Sequence, residues 1–296
     1  MFNKVMIGID EHKGGRDAIE LARRLVSDDG ELSLAYVHGG FPLVGRGSNA
    51  EFEAGERDRA ETLLSAAAAE TGIRITRCIG STSVGRGLHE LAEANGADLL
   101  VIGSTRHGLL GRVVVGDDTR HALNGAPCAV AVAPAGYAQH STPFTEIGVA
   151  YNDSAESKHA LEVARALAAD CHAKVSAFEA VAFPAYMYAG FGGAIPLVSE
   201  TFVDEARARI AELGGVEAHA AYGDPAEEIA LYSASLDLLV VGSRDFGPIG
   251  RLMHGSTAHR LARVARCPLL VLTRAARAAD TASPTDDDRH PLAAGA

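Results

Sequence analysis

Residues 101–116 read Val-Ile-Gly-Ser-Thr-Arg-His-Gly-Leu-Leu-Gly-Arg-Val-Val-Val-Gly, and residues 240–255 read Val-Val-Gly-Ser-Arg-Asp-Phe-Gly-Pro-Ile-Gly-Arg-Leu-Met-His-Gly. The two stretches lie 139 residues apart, and the same offset relates Cys128 to Cys267. The positions that recur unchanged include Gly103, Ser104, Gly108, Gly111, Arg112 and Gly116. A shared register of this length is typical of an internal repeat, so the chain is predicted to contain two copies of one fold.

Apolar runs alternate with amphipathic segments along both halves. Residues 4–10 form a continuous apolar run ending in a carboxylate, which is typical of a buried parallel strand, and residues 17–27 repeat apolar side chains on one helical face. Strands are predicted over residues 4–10, 32–37, 73–78, 98–103, 129–133, 147–151, 174–178, 217–221, 236–242 and 269–272. Helices are predicted over residues 17–27, 51–71, 88–95, 117–124, 157–169, 199–213, 226–233 and 257–265.

This alternation implies parallel βαβ units with right-handed crossovers. The sequence therefore predicts an α/β fold of two doubly wound, parallel five-stranded sheets, each with helices on both faces. The first domain is predicted over residues 1–135 and the second over 146–274, with a linker at 136–145 in which Pro, Gly, Gln and Ser collect. Residues 275–296, rich in Ala, Asp, Thr and Pro, are predicted to be disordered.

The composition narrows the class of partners. The chain of 296 residues carries a net charge of −11, which argues against a broad nucleic-acid surface, because such a surface needs clustered Lys and Arg. The start of the sequence lacks the pattern of a signal peptide, and no apolar run approaches the roughly 20 residues of a membrane-spanning helix. The four cysteines form neither a CxxC pair nor a zinc-finger pattern, so reduced thiols are expected. We expect a cytoplasmic protein that binds neither nucleic acid nor membrane.

Ligands of doubly wound sheets bind beyond the carboxyl ends of the strands, where three features of each half should meet. The first feature is the polar residue that ends the first strand, Asp10 in one half and Asn152 in the other. Its side chain could hydrogen-bond a base or a ribose, or it could only cap the next helix or form a turn.

The second feature is the glycine-rich loop after the fourth strand. Gly103 and Gly242 end that strand, whereas Gly116 and Gly255 come directly before a helix. Amides at a helix N-terminus, together with the helix dipole, make a site for phosphate. The glycines could instead serve only tight turns and helix–strand packing.

The helix start after this loop differs between the halves. Ser256 and Thr257 add hydroxyl donors in the second half, while Asp117 and Asp118 stand there in the first half and would repel a phosphate. A phosphate site is therefore predicted more strongly in the second half.

The third feature is the long connection after the second strand. In the second half, residues 182–198 are apolar and aromatic. This segment could be a lid over a ligand, a contact surface for a partner, or a loop packed on its own domain.

Catalytic signatures are missing from the sequence. It contains no GxxxxGK[ST] phosphate loop, no GxGxxG after the first strand and no GxSxG elbow. The histidines are scattered, and neither a metal-ligand cluster nor a nucleophile–base constellation is recognisable. The sequence predicts a binding protein and not an enzyme, with weak ATP hydrolysis left open.

The chain resembles the universal stress protein family and looks like a tandem of two such domains. The resemblance spans residues 1–135 and 145–274 and is strongest over residues 5–10, 97–104, 223–229, 236–243 and 255–257. It implies the strand order 3-2-1-4-5 in each half and pairing of domains through their last strands. The chain would then be a monomer with an internal pseudo-dimer, or a homodimer.

ATP-binding members of this family carry Gly, two residues, Gly, nine residues, Gly, then Ser or Thr. Neither half matches fully, because Arg106 and Asp245 occupy the position of the middle glycine. A side chain there narrows the approach to phosphate, although Arg106 could pair with a phosphate from outside the loop. The resemblance also places Val37 and Ala180, near the end of the second strand, beside the adenine.

Two functions follow from the resemblance and the residues. The first is a nucleotide-responsive stress protein that binds ATP or ADP, with or without magnesium, and has no strong catalytic turnover. The second is a tandem module that has lost the nucleotide and acts through a protein partner.

Overall fold

The computed structural model describes residues 1–10, 14–39, 49–104, 121–182, 195–243 and 257–273. Its strands are β1 (Phe2–Gly8), β2 (Val26–Gly39), β3 (Ile75–Ser81), β4 (Leu99–Gly103), β5 (Ala129–Ala133), β6 (Glu146–Ala150), β7 (Lys174–Val181), β8 (Glu217–Tyr222), β9 (Leu238–Gly242) and β10 (Leu269–Leu272). Its helices are α1 (Gly14–Leu25), α2 (Asn49–Thr71), α3 (Val84–Asn95), α4 (Ala155–Cys171), α5 (Ile195–Ala211), α6 (Pro225–Tyr232) and α7 (Thr257–Val264). The predicted alternation of strands and helices is confirmed, whereas the predicted disordered tail lies outside the described residues.

The ten strands form one sheet in the order β3-β2-β1-β4-β5-β10-β9-β6-β7-β8. Each half therefore has the expected order 3-2-1-4-5, and the strand pairs within a half are parallel. The two predicted five-stranded sheets are joined into one mixed sheet, because β5 and β10 pair antiparallel. All residues of β5 are buried, and this pairing satisfies backbone groups that an edge strand would leave open.

The register at this junction has a local twofold symmetry. Leu270 lies opposite Ala131, and these two residues occupy equivalent positions of the repeat, 139 residues apart. On either side, Leu269 pairs with Val132 and Val271 with Val130. The halves thus pair through their last strands within one chain, and the monomeric state of that chain stays a prediction.

The core consists of two apolar layers, one on each face of the sheet, because successive strand residues point to opposite faces. Each layer runs through both halves. One layer includes Ile7, Val101, Ala131, Leu270 and Val240. The other includes Met6, Leu100, Val130, Val271 and Leu239. Burial is therefore shared across the β5·β10 junction, and the two halves do not have separate cores.

The segment between the halves is held by α1. The buried carboxylate of Asp17 accepts hydrogen bonds from the backbone amides of Gly136 (2.9 Å) and Ala138 (2.8 Å). Ser141 Oγ donates to Glu20 Oε1 at 2.9 Å. A 3-10 turn over Tyr137–Gln139 lies between these contacts. The predicted linker is therefore a fixed segment, while the division into domains stays a prediction.

One buried hydrogen bond in the second half gives a test of the core. Ser176 Oγ and Tyr232 Oη lie 2.5 Å apart, and the Tyr232 ring stacks on Phe178 with centroids 4.9 Å apart. We expect Tyr232→Phe to lower the free energy of unfolding by about 1 kcal/mol, because it leaves the buried Ser176 hydroxyl without this partner. Urea unfolding of Tyr232→Phe, Ser176→Ala and the double variant measures the coupling. A coupling near zero would contradict the bond.

Candidate functional site

The carboxyl ends of the strands lie on opposite edges of the sheet in the two halves, because β5 and β10 are antiparallel. In the first half, Ile9 donates its amide proton to the carbonyl of Ala35 at 2.9 Å, which extends the β1·β2 ladder to the exposed Asp10. Val37 follows on β2 and is half-buried. The structure thus brings Asp10 and Val37 to one edge.

The helix α3 packs tightly against this edge. A Cβ atom on Gly87 would lie 2.7 Å from Val37 Cγ1, so the absence of a side chain on Gly87 lets the helix approach β2. The N-cap residue Ser83 makes no side-chain capping bond in the described part of the chain. The side chain of the N-cap residue therefore places no negative charge at the amides of this helix start.

At the matching edge of the second half, the residue after the first strand makes different hydrogen bonds. Tyr151 donates its amide proton to the carbonyl of Phe178 at 2.9 Å, and the next residue is the exposed Asn152. Asn152 Oδ1 accepts from the Ser154 amide at 3.3 Å, while the Asn152 amide donates to Ser157 Oγ at 3.3 Å. These bonds form a turn that leads into α4, so the geometry favours the turn role over base recognition for Asn152.

The helix α6, which corresponds to α3, begins under a carboxylate. Asp224 accepts from the amides of Ala226 (3.0 Å) and Glu227 (3.2 Å) and is 2.7 Å from Arg260 Nη1 of α7. The Arg260 guanidinium lowers the pKa of Asp224, with help from the backbone bonds. This helix start is already occupied by an anionic group, unlike that of α3. Ala180, on the neighbouring β7, is half-buried.

Two serines at equivalent positions of the repeat lie at the base of the glycine-rich loops. Ser104 is 6% exposed and Ser243 is 3% exposed. Their amides bond to the carbonyls of Ala133 (2.9 Å) and Leu272 (3.0 Å), which fixes both residues at the ends of β4 and β9. Neither hydroxyl has a hydrogen-bond partner among the residues that the structure describes. A buried polar group without a partner costs about 1–3 kcal/mol, so both hydroxyls have hydrogen-bonding capacity that no described residue uses.

Sequence reasoning did not select these two serines as site residues. The signal was available, because Ser104 and Ser243 recur unchanged in the repeat. Their burial and lack of a partner depend on the packing at the strand ends, which the repeat alone does not reveal.

Gly242 has a structural role independent of any ligand. A Cβ atom there would lie 2.3 Å from the backbone oxygen of Glu156 and 2.6 Å from its carbonyl carbon. The first turn of α4 therefore packs directly on the end of β9, and the geometry supports the packing interpretation of this glycine. Gly103 is the last residue of β4, as predicted.

Several predicted site residues lie outside the described residues. They are Arg106, Gly116, Gly255 and Ser256, together with the aspartates Asp117, Asp118 and Asp245 and residues 183–194 of the aromatic connection. Thr257 is the first residue of α7, as the predicted helix start requires.

The four cysteines are free thiols. Cys128 and Cys267 are buried next to the β5·β10 junction, and burial raises the pKa of Cys128 to about 12 and that of Cys267 further. Both remain protonated at neutral pH, which makes them poor nucleophiles. Among the described residues, no cluster of three or more His, Cys, Asp or Glu could hold a metal ion, and no helix is long and apolar enough to span a membrane.

The strand order 3-2-1-4-5 in each half places the chain in the class of doubly wound α/β proteins. The chain belongs to the universal stress protein family, since that family's model matches residues 1–134 and 143–273. Universal stress protein YxiE of Bacillus subtilis is 30% identical over 147 residues, which is 44% of this chain and 99% of that protein.

Solved structures agree on the fold. A universal stress protein from Archaeoglobus fulgidus superposes with a TM-score of 0.65 at 16% identity, over 92% of this chain and 98% of its own. A protein from Pseudomonas aeruginosa, described as a putative universal stress protein, gives a TM-score of 0.60 at 19% identity, over 94% and 98%. At these identities the likeness supports the fold alone.

Proposed function

We propose that this universal stress protein binds ATP or ADP and responds to the nucleotide without strong catalytic turnover. The observation that carries the proposal is the pair of buried hydroxyls of Ser104 and Ser243, to which no described residue bonds and which lie where each glycine-rich loop begins. A phosphate or ribose oxygen at either position would supply the missing hydrogen bond. Their equivalence in the repeat favours one kind of ligand for both halves.

The roles of the other residues follow from this placement. Asp10 and Val37 in the first half, and Ala180 in the second, would contact the nucleoside, whereas Asn152 would shape the turn beside it through its bonds to Ser154 and Ser157. The phosphates, with or without magnesium, would be held by Gly103, Arg106 and Gly116 in the first half and by Gly242, Gly255, Ser256 and Thr257 in the second. The hydroxyls of Ser256 and Thr257 favour the second half, while the start of α3, where the Ser83 side chain makes no capping bond, favours the first. We propose a cytoplasmic location for this activity.

Calorimetry on nucleotide-free protein tests this function. We expect Ser104→Ala and Ser243→Ala each to weaken ATP binding in its own half by about five- to tenfold, which corresponds to about 1–1.4 kcal/mol for one lost hydrogen bond. Neither variant should lower the stability of the free protein, because neither hydroxyl bonds to any residue within the described ranges.

The exposed Ser65→Ala on α2 is the matched control: it should leave ATP binding unchanged and should not lower the stability, since alanine is the better helix former. Absence of binding heat with millimolar ATP and magnesium in the unmodified protein would refute the proposal. A loss of stability in the free Ser104→Ala or Ser243→Ala variant would show instead that the hydroxyl has a structural partner.

A second candidate is a tandem module that acts through a protein partner without nucleotide. The structural roles of Asn152 and Gly242 favour it, because both motif residues are explained without a ligand. Mass spectrometry of the purified protein separates the candidates: a nucleotide that co-purifies in stoichiometric amount excludes the second.

A further inference from the structure

A cavity of about 180 Å³ lies between the linker and the second half. We call it the seam pocket. Its lining includes Tyr137, His140 and Thr142 of the linker and Asp237, Arg266 and Cys267, which precede β9 and β10. Because β5 and β10 are antiparallel, this pocket lies at the same edge of the sheet as the carboxyl ends of the first half. Its lining contains none of the residues to which the proposed nucleotide is assigned.

The volume limits the occupant. Cavities that enclose a cofactor or a drug-sized ligand usually measure about 300–1,000 Å³. The seam pocket is smaller, so a whole nucleotide is too large for it. It offers room for roughly six water molecules, at about 30 Å³ each, or for one small organic or inorganic ion.

One cationic side chain lines the seam pocket. The Arg266 side chain is exposed and forms no ion pair within the described part of the chain, while its backbone amide bonds to Ser233 Oγ at 2.9 Å and fixes the segment. The Tyr137 hydroxyl is buried beneath the lining and does not face the pocket. Burial raises the pKa of Tyr137, so this hydroxyl is protonated at neutral pH.

The carboxylate of Asp237 is the opposing charge in the lining. Its Oδ2 atom accepts three hydrogen bonds, from the Thr145 amide (2.7 Å), the Thr145 hydroxyl (2.7 Å) and the Glu146 amide (3.0 Å). These bonds hold Asp237 at the start of β6 and stabilise its negative charge. Arg266 supplies the positive charge of the lining, which also contains the polar side chains of Thr142 and His140.

We propose that the seam pocket binds a small oxyanion, a carboxylate or a phosphate, with Arg266 as its charged partner. Arg is suited to this role because its planar guanidinium can hold two oxygens at once. An anion there would contact the linker and the second half together and would hold α1, the linker and β10 in one arrangement.

Thermal unfolding at constant ionic strength tests this inference. We expect 10 mM acetate, malonate or phosphate to raise the Tm by about 2–4 °C over sodium chloride, if the ion binds at about a tenth of that concentration or tighter. Arg266→Gln should abolish the shift. The matched variant Arg263→Gln removes an exposed cation of α7 that does not line the pocket and should leave the shift intact.

A second variant separates binding from folding. Thr142→Val should leave the Tm of the anion-free protein nearly unchanged, because Thr142 is exposed, and should reduce the anion shift, because Thr142 lines the pocket. The larger response, to carboxylate or to phosphate, identifies the source of the oxyanion. An equal shift in Arg266→Gln, or no shift beyond that of chloride, overturns the proposal. Ser104→Ala and Ser243→Ala should not alter the shift, which keeps this result independent of nucleotide binding.

Discussion

Replacing Leu270 with alanine is expected to lower the free energy of unfolding by about 2–5 kcal/mol, the range for a fully buried leucine. Leu270 has no solvent exposure, lies opposite Ala131 at the local twofold and belongs to the apolar layer that runs through both halves. The loss should affect the whole chain, because the layer is continuous across the junction. We therefore expect one cooperative transition at lower temperature and not the loss of one half.

Calorimetry and urea unfolding followed by far-ultraviolet circular dichroism measure this effect. Leu231→Ala is the control, since Leu231 is 53% exposed and its removal should cost less than about 0.5 kcal/mol. Two separate transitions, of which only one responds to Leu270→Ala, would mean that the halves unfold independently in spite of their shared core.

Gly242→Ala is expected to destabilise the protein by about 3 kcal/mol, at the upper end of the usual cost of overpacking. The added methyl group would meet the backbone oxygen of Glu156 at 2.3 Å, and a backbone atom cannot rotate away as a side chain could. Either α4 must move off the end of β9 or the strand must shift. The measurement is the free energy of unfolding in urea, without nucleotide.

Gly55→Ala is a control that should raise the stability and not lower it. Gly55 lies inside α2, and a Cβ atom there would meet nothing within 4 Å, so alanine should stabilise the protein by about 0.5–1 kcal/mol. If Gly242→Ala kept full stability but lost ATP binding, Gly242 would act on the ligand and not on packing. If Gly242→Ala lost both stability and ATP binding, the loss of stability alone would be enough to explain the loss of binding.

Much of the fold could be predicted because its signals are local. A few neighbouring residues are enough to recognise the apolar runs of β5 and β10 and the glycine, Gly96, at the end of α3. The start of β2 could not be placed, because Val26 joins the strand only through its pairing with Phe2. The joining of both halves into one sheet depends on contacts between residues such as Ala131 and Leu270, which no local pattern reveals.

The candidate site was less predictable for a related reason. Residue type and spacing identified Asn152 and Gly242, but their roles depend on neighbours that the pattern does not specify. Asn152 is engaged by Ser154 and Ser157, and Gly242 faces the backbone of Glu156 on another element. The buried Ser104 and Ser243 emerged only from packing. Spacing can find candidate residues, while their free hydrogen-bonding capacity requires three-dimensional structure.

Because β5 and β10 belong to a single chain, the equilibrium in which they pair and complete the sheet does not depend on protein concentration. Two unlinked domains would have to meet by diffusion, and dilution would separate them. A covalent link supplies the second half at an effective concentration on the order of millimolar, whatever the copy number of the chain. The sheet should therefore be joined at β5 and β10 in a cell that holds few molecules of the protein and in one that holds many.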